Sequence, residues 1–195
     1  MNVPFTISDI LERVIPGAVF LGGAVSAFHG WGALISDGET SQFATFTVFA
    51  LLSYVFGLIA NIISGLVPRL DTRNDDHSKI LSQRVVDAYA EFFKHEYDTS
   101  AWKWCYGIVV KHGYAVNTNF FQGVYVFCSS MFVSLAILVP IYIWAWYFKD
   151  FSVLPVFIIP AAALAFARGS QKYSRLFALS ILEAFYSYWI EQSQK

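Results

Sequence analysis

The chain has 195 residues, 56% of them hydrophobic and 14% charged, with a formal net charge of -1. Soluble domains carry about 25% charged residues, so a water-soluble fold would have too few of them to cover this much apolar surface. The near-neutral balance gives no basis for direct nucleic-acid binding, and two cysteines, Cys105 and Cys128, offer neither a disulfide framework nor a metal-ligand spacing.

The first segment, TISDILERVIPG, reads as a short amphipathic helix capped by Asp9, with Glu12 reaching back to a free amide. Pro16-Gly17 is expected to bend it into the apolar run that follows. That run, residues 14–35, contains no Asp, Glu, Lys or Arg, and neither do 43–67 and 120–148. About 20 apolar residues suffice to cross about 30 Å of hydrocarbon. These stretches therefore predict membrane spans at about 14–36, 43–67 and 120–148, with a shorter fourth at 152–168. The fourth reaches across if Arg168 snorkels to the surface. The first is not a secretory signal, because Asp9 and Glu12 precede it and its apolar run is too long.

Between the second and third spans lies a connector, 68–119, too long for a plain loop. Leu81, Val85, Ala88, Tyr89, Phe92 and Phe93 fall at helical spacing within 78–97, after a cap at Asp76 or Ser78. A second helix covers 100–112, with Gly113 as its stop and Asn117-Thr118 as a cap for the third span. Pro140 is expected to kink that span, and Pro155 falls in the first turn of the fourth. A separate tail helix, 174–191, is apolar around most of its circumference apart from Ser180, Glu183, Ser187 and Glu191, and must be mostly covered.

The expected fold is all-α: one integral membrane domain over 1–195, a polytopic four-helix bundle. It has a cytoplasmic helical hairpin in the connector and a cytoplasmic amphipathic helix at the C-terminus. With both tails inside, 12 of the 13 Lys and Arg lie on the cytoplasmic side and only Lys149 lies outside. The aromatic residues Trp31, Trp144, Trp146 and Tyr147 mark the outer interface, and Trp102, Trp104, Tyr186 and Trp189 mark the inner one.

Chemistry-bearing patterns are few. HEYDT at 95–99 places Thr99 where a zinc protease needs a second His. Asp87, Glu91 and His95 stand at i, i+4 and i+8, a stripe that reads as a solvated helix face or, in the alternative, as a metal-binding enzyme site. His29 stands near the outer end of the first span, where a neighbouring helix or water satisfies it, with pH sensing as the sharper role. Spans free of Asp, Glu, Lys and Arg argue against a proton-coupled transporter, and no catalytic residue, metal or cofactor is expected. Arg168, Lys172 and Arg175 share a helical face that suits anionic lipid headgroups or simply follows the positive-inside bias.

The distinctive pattern is one of small residues. Gly22, Ser26 and Gly30 recur every fourth position in the first span, and Ser53, Gly57, Asn61 and Gly65 do so in the second. In lipid, such faces let helix backbones approach closely and bond across the contact. Asn61 then belongs to a helix interface or to a pore wall, since an unpartnered amide in hydrocarbon is costly. Either the two stripes pack within one protomer or they join copies, and a homo-oligomer is expected.

The span arrangement and the LERVIPG start resemble small prokaryotic four-span inner-membrane proteins, some of them membrane components of antiphage defence operons such as the Kiwa system. The resemblance implies a bacterial inner-membrane sensor or effector with a cytoplasmic protein partner. The expected function is non-enzymatic: an oligomer that senses or perturbs the bilayer, channel-like or permeabilising. The alternatives are a passive anchor or scaffold for a partner, and a membrane enzyme using Asp87, Glu91 and His95.

Overall fold

The computed structural model describes residues 10–29, 39–66, 83–94, 101–114 and 116–194, which are helical nearly throughout, with no strand among them. Six α-helices follow one another: α1 Ile15–His29, α2 Glu39–Leu66, α3 Gln83–Phe93, α4 Ala101–Lys111, α5 Val116–Lys149 and α6 Leu154–Ser193. A π-helical turn, Ile10–Val14, leads into α1. Four stretches are long and apolar enough to cross a membrane: Ile10–His29, Phe46–Leu66, Thr118–Lys149 and Leu154–Ser193. They match the four uncharged runs of the sequence. The Asp9 cap and residues 30–36 of the expected first span lie outside the described residues.

Three local expectations are corrected. Pro16-Gly17 does not stand between two helices but sits in the first turn of α1, directly after the π turn. A wider π turn gives room where the Pro16 ring would crowd the carbonyl of Glu12. Asn117-Thr118 lies inside α5 rather than before it, and the buried Thr118 hydroxyl has no hydrogen-bond partner among the described residues. The fourth span and the tail are not two helices: α6 runs unbroken for 40 residues through Pro160 and through Arg168–Arg175. The charges there mark a change of surroundings, but Arg, Gln and Lys are good helix formers, so nothing stops the helix.

The chain divides into two compact units, Met1–Leu70 with Val126–Ser170, and Asp71–Tyr125 with Gln171–Lys195. In the first, α1 and α2 are antiparallel, since Gly57 meets Arg13 and Ser53 meets Gly17. α1 and α5 run parallel: Gly23 faces Leu138, Ser26 bonds Tyr142, and the Lys149 ammonium donates to the carbonyl of Phe28. α5 and α6 are antiparallel, with Tyr142 on Phe151, Phe127 on Phe166 and Ser129 on Ser170. The helices therefore alternate in direction, as consecutive spans must. The buried core here is Ala27, Met131, Leu135, Leu138, Tyr142, Ala145 and Ala163.

The second unit packs α3, α4 and the end of α6 around Val85, Tyr89, Trp102, Cys105, Val109, Phe177, Ile181 and Phe185. The alternation of Val85, Ala88 and Tyr89 with exposed Arg84, Asp87 and Glu91 explains why α3 forms here and which face it buries. Gly113 ends α4 as expected. Its φ is +79°, and Gly113 N–H donates to the Val110 carbonyl while Tyr114 N–H donates to that of Val109, a Schellman cap. On α6, Phe177, Ala178, Ile181, Leu182 and Phe185 are fully covered, whereas Glu183, Ser187 and Glu191 are exposed and Ser180 is half-buried. The side of the tail that carries Phe177, Ile181 and Phe185 is thus covered by the two connector helices, while Trp189 and Ile190 are half-buried.

Candidate functional site

The tightest contact among the spans joins α1 to α2. A Cβ on Gly17 would overlap the backbone carbonyl of Ser53, and one on Gly57 would overlap the carbonyl of Arg13. Glycine is required at both positions because the two backbones touch. The side chain of Arg13 reaches Tyr54 on the same crossing, its guanidinium donating to the phenol oxygen at 2.7 Å. The Phe20 and Phe56 rings pack beside it, tilted by 40°, with centroids 5.1 Å apart. Ser53 is fully buried here, and its hydroxyl has no partner among the described residues.

The two small-residue stripes do not behave as units. Ser53 and Gly57 are taken up within the protomer. Further along α2, Asn61 is partly exposed and Gly65 has open space where a side chain would stand. The Asn61 carbonyl accepts from Ser64, and its side chain has no hydrogen bond among the described residues. On α1, Ser26 is fully buried and lies 2.5 Å from the Tyr142 hydroxyl, while also donating to the Gly23 carbonyl at 2.9 Å. Gly22 instead faces open space, and Gly30 lies outside the described residues.

That open space is a groove of about 430 Å³ within the first unit. Its walls are Ala18, Val19, Gly22 and Gly23 of α1, Leu135, Leu138 and Tyr142 of α5, and Pro155, Ile158 and Ile159 of α6. Tyr142 is the one lining residue with a polar side-chain atom, and that atom is bonded to Ser26. The groove thus offers no hydrogen bond to an occupant.

Several contributors had no such contact assigned to them from the sequence. Tyr142, Gly17, Gly23 and Arg13 carry the α1 contacts. Ser129 and Ser170 bond at 2.7 Å across α5 and α6, and a Cβ on Gly169 would lie 3.2 Å from the sulfur of Cys128. A signal did exist for the α5 face: Ser130, Ser134, Leu138 and Tyr142 recur every fourth residue in an otherwise apolar span. All four are buried, with no partner for the Ser130 and Ser134 hydroxyls among the described residues.

The remaining candidates are surface features. Arg168, Lys172 and Arg175 are all exposed along α6. Asp87 and Glu91 are exposed on α3, His95 lies outside the described residues, and no cluster of three or more His, Cys, Asp or Glu able to hold a metal occurs among the described ones. Both cysteines are free and buried, and burial pushes the Cys105 thiol up to about 12. No family model, no curated protein and no solved structure matches the chain.

Proposed function

We propose that this is a multi-pass protein of the bacterial inner membrane that acts without enzymatic chemistry, assembling into a homo-oligomer that senses or perturbs the bilayer. The carrying observation is the apolar surface left uncovered on the candidate spans. On α2, Leu51, Leu52, Val55, Leu58, Ile59, Ile62 and Leu66 are all exposed, as are Phe157, Ile158 and Leu164 on α6. Soluble monomers rarely expose a contiguous apolar patch beyond a few hundred Å², whereas hydrocarbon accepts such a face without cost.

The Lys and Arg distribution supports both termini and the connector on the cytoplasmic side, with Lys149 outside. α6 has 40 residues, twice the number a crossing needs, so part of it is free to carry a signal away from the bilayer. The face formed by α3, α4 and the end of α6 is the proposed contact for a soluble partner, and antiphage defence is the setting in which such an arrangement would serve.

Asn61 and Gly65 favour self-association. An amide in hydrocarbon gains from a partner on another helix, and Gly65 leaves room for that helix to approach. The test is reconstitution into nanodiscs and planar bilayers, with particle mass and current measured together. The expected mass is a multiple of the 22.0 kDa protomer, reduced by Gly65→Leu. A monomeric particle without current would refute the oligomeric reading.

A further inference from the structure

We propose that the groove between α1, α5 and α6 is a phospholipid site: one acyl chain lies in it and the phosphate of the same lipid sits at Lys149. The inference rests on the membrane reading above and goes beyond it by naming a ligand and its two contacts.

The groove fits hydrocarbon and little else. Its lining offers no free polar side-chain atom, since the Tyr142 hydroxyl is bonded to Ser26. The groove's volume is about 430 Å³, and a flexible apolar chain can lie along it. Gly22 lies on its open wall, where a Cβ would meet nothing within 4 Å.

The cation stands at the right depth. Lys149 follows Tyr142 by seven residues on α5, or about 10 Å along the helix. The groove is thus within the hydrocarbon half-thickness of about 15 Å, and Lys149 is near its boundary. The ammonium is exposed, anchored to the Phe28 carbonyl at 2.6 Å and flanked by the rings of Phe28 and Trp144. An aromatic collar of this kind marks headgroup depth. A lysine has three donor hydrogens, so one bond to a carbonyl leaves donors for a phosphate oxygen. Asp150 beside it suits a headgroup that also carries an amine, such as phosphatidylethanolamine.

The experiment uses the full chain in phosphatidylethanolamine vesicles containing a trace of the same lipid with a photoreactive diazirine in one acyl chain. After illumination, the modified residues are mapped by mass spectrometry. Enrichment at 18–23 and 155–159 over other exposed apolar positions, such as Phe46 and Leu164, is expected. Gly22→Phe should lower that enrichment several-fold, and Lys149→Gln by up to about fivefold, the upper range for one exposed charge pair. Gly22→Val starts from open space and serves where the phenylalanine variant fails to fold. Even labelling of all exposed apolar residues, unchanged in Gly22→Val, would overturn the proposal while leaving the membrane reading intact. Groove labelling that is lost in the oligomeric fraction and kept in the monomer would show a second copy seated there and would also overturn it. Absence of any lipid adduct would overturn both.

Discussion

Gly17 and Ser53 meet backbone to backbone, with no room for a side chain between them. The same crossing holds Gly57 against Arg13, so α1 and α2 are fixed to one another at two points. Gly57→Leu should therefore damage the protomer itself, with less folded protein and a lower melting temperature in detergent. Overpacking a tight contact costs about 1–3 kcal/mol, and backbone overlap puts this case at the upper end. Gly22→Leu, facing the groove, is the matched control and should leave the yield unchanged. Equal loss in both variants would mean that the α1–α2 crossing is not the tight contact described.

The Ser26–Tyr142 bond ties α1 to α5. Interhelical hydrogen bonds in membranes average about 0.6 kcal/mol, so Tyr142→Phe should lower stability only slightly. Ser26 retains the Gly23 carbonyl as an acceptor, which further softens the loss. A double-mutant cycle with Ser26→Ala, read by unfolding in mixed micelles, should give a coupling of about that size. Strict additivity would show that the hydroxyls do not interact.

Phe185 is fully buried and packs on Phe93 with ring centroids 5.6 Å apart and on Phe92 at 5.4 Å. Phe185→Ala should cost about 3–5 kcal/mol, enough to release the end of α6 from α3. Ser187, exposed two residues on, should tolerate Ala within about 0.5 kcal/mol. Limited proteolysis of the two variants separates them: early cleavage after residue 171 is expected only for Phe185→Ala. Similar cleavage of both would make the tail a loosely held extension.

The span count was legible because uncharged runs long enough to cross hydrocarbon have few other uses. The covered tail was legible because a helix apolar around most of its girth has nowhere else to go. The continuity of α6 was not: Arg168, Lys172 and Arg175 announce a membrane boundary, yet a helix crosses such a boundary unchanged. Small residues every fourth position showed that a face admits a close neighbour, but not whose. The structure divides that stripe, with Ser53 and Gly57 against α1 and Gly65 open. The contacts of Gly17 and Tyr142 were not legible, because each takes its meaning from a residue on another helix.

Cys105 lies in the core formed by α3, α4 and the end of α6, and its burial raises the thiol from 9.0 to about 12. The folded state holds this proton more tightly than the unfolded state does. Stability is therefore unaffected below about pH 9 and falls as pH rises from there towards 12. Alkylation by iodoacetamide at pH 8 should be far slower than for a free thiol, because about a thousandfold less thiolate is present. Phe185→Ala should accelerate it. Rapid modification of the native protein at pH 8 would place Cys105 outside the core.

Membrane insertion with the termini and connector on one side and Lys149 on the other is the claim on which the rest depends. Single cysteines at Asp150 and Glu191, probed with a membrane-impermeant maleimide on intact cells, test it directly. Asp150→Cys should label from outside, and Glu191→Cys only after permeabilisation. Labelling of Glu191→Cys on intact cells, with Asp150→Cys protected, would invert the orientation, and labelling of both only after permeabilisation, with the chain in the soluble fraction, would remove the protein from the membrane.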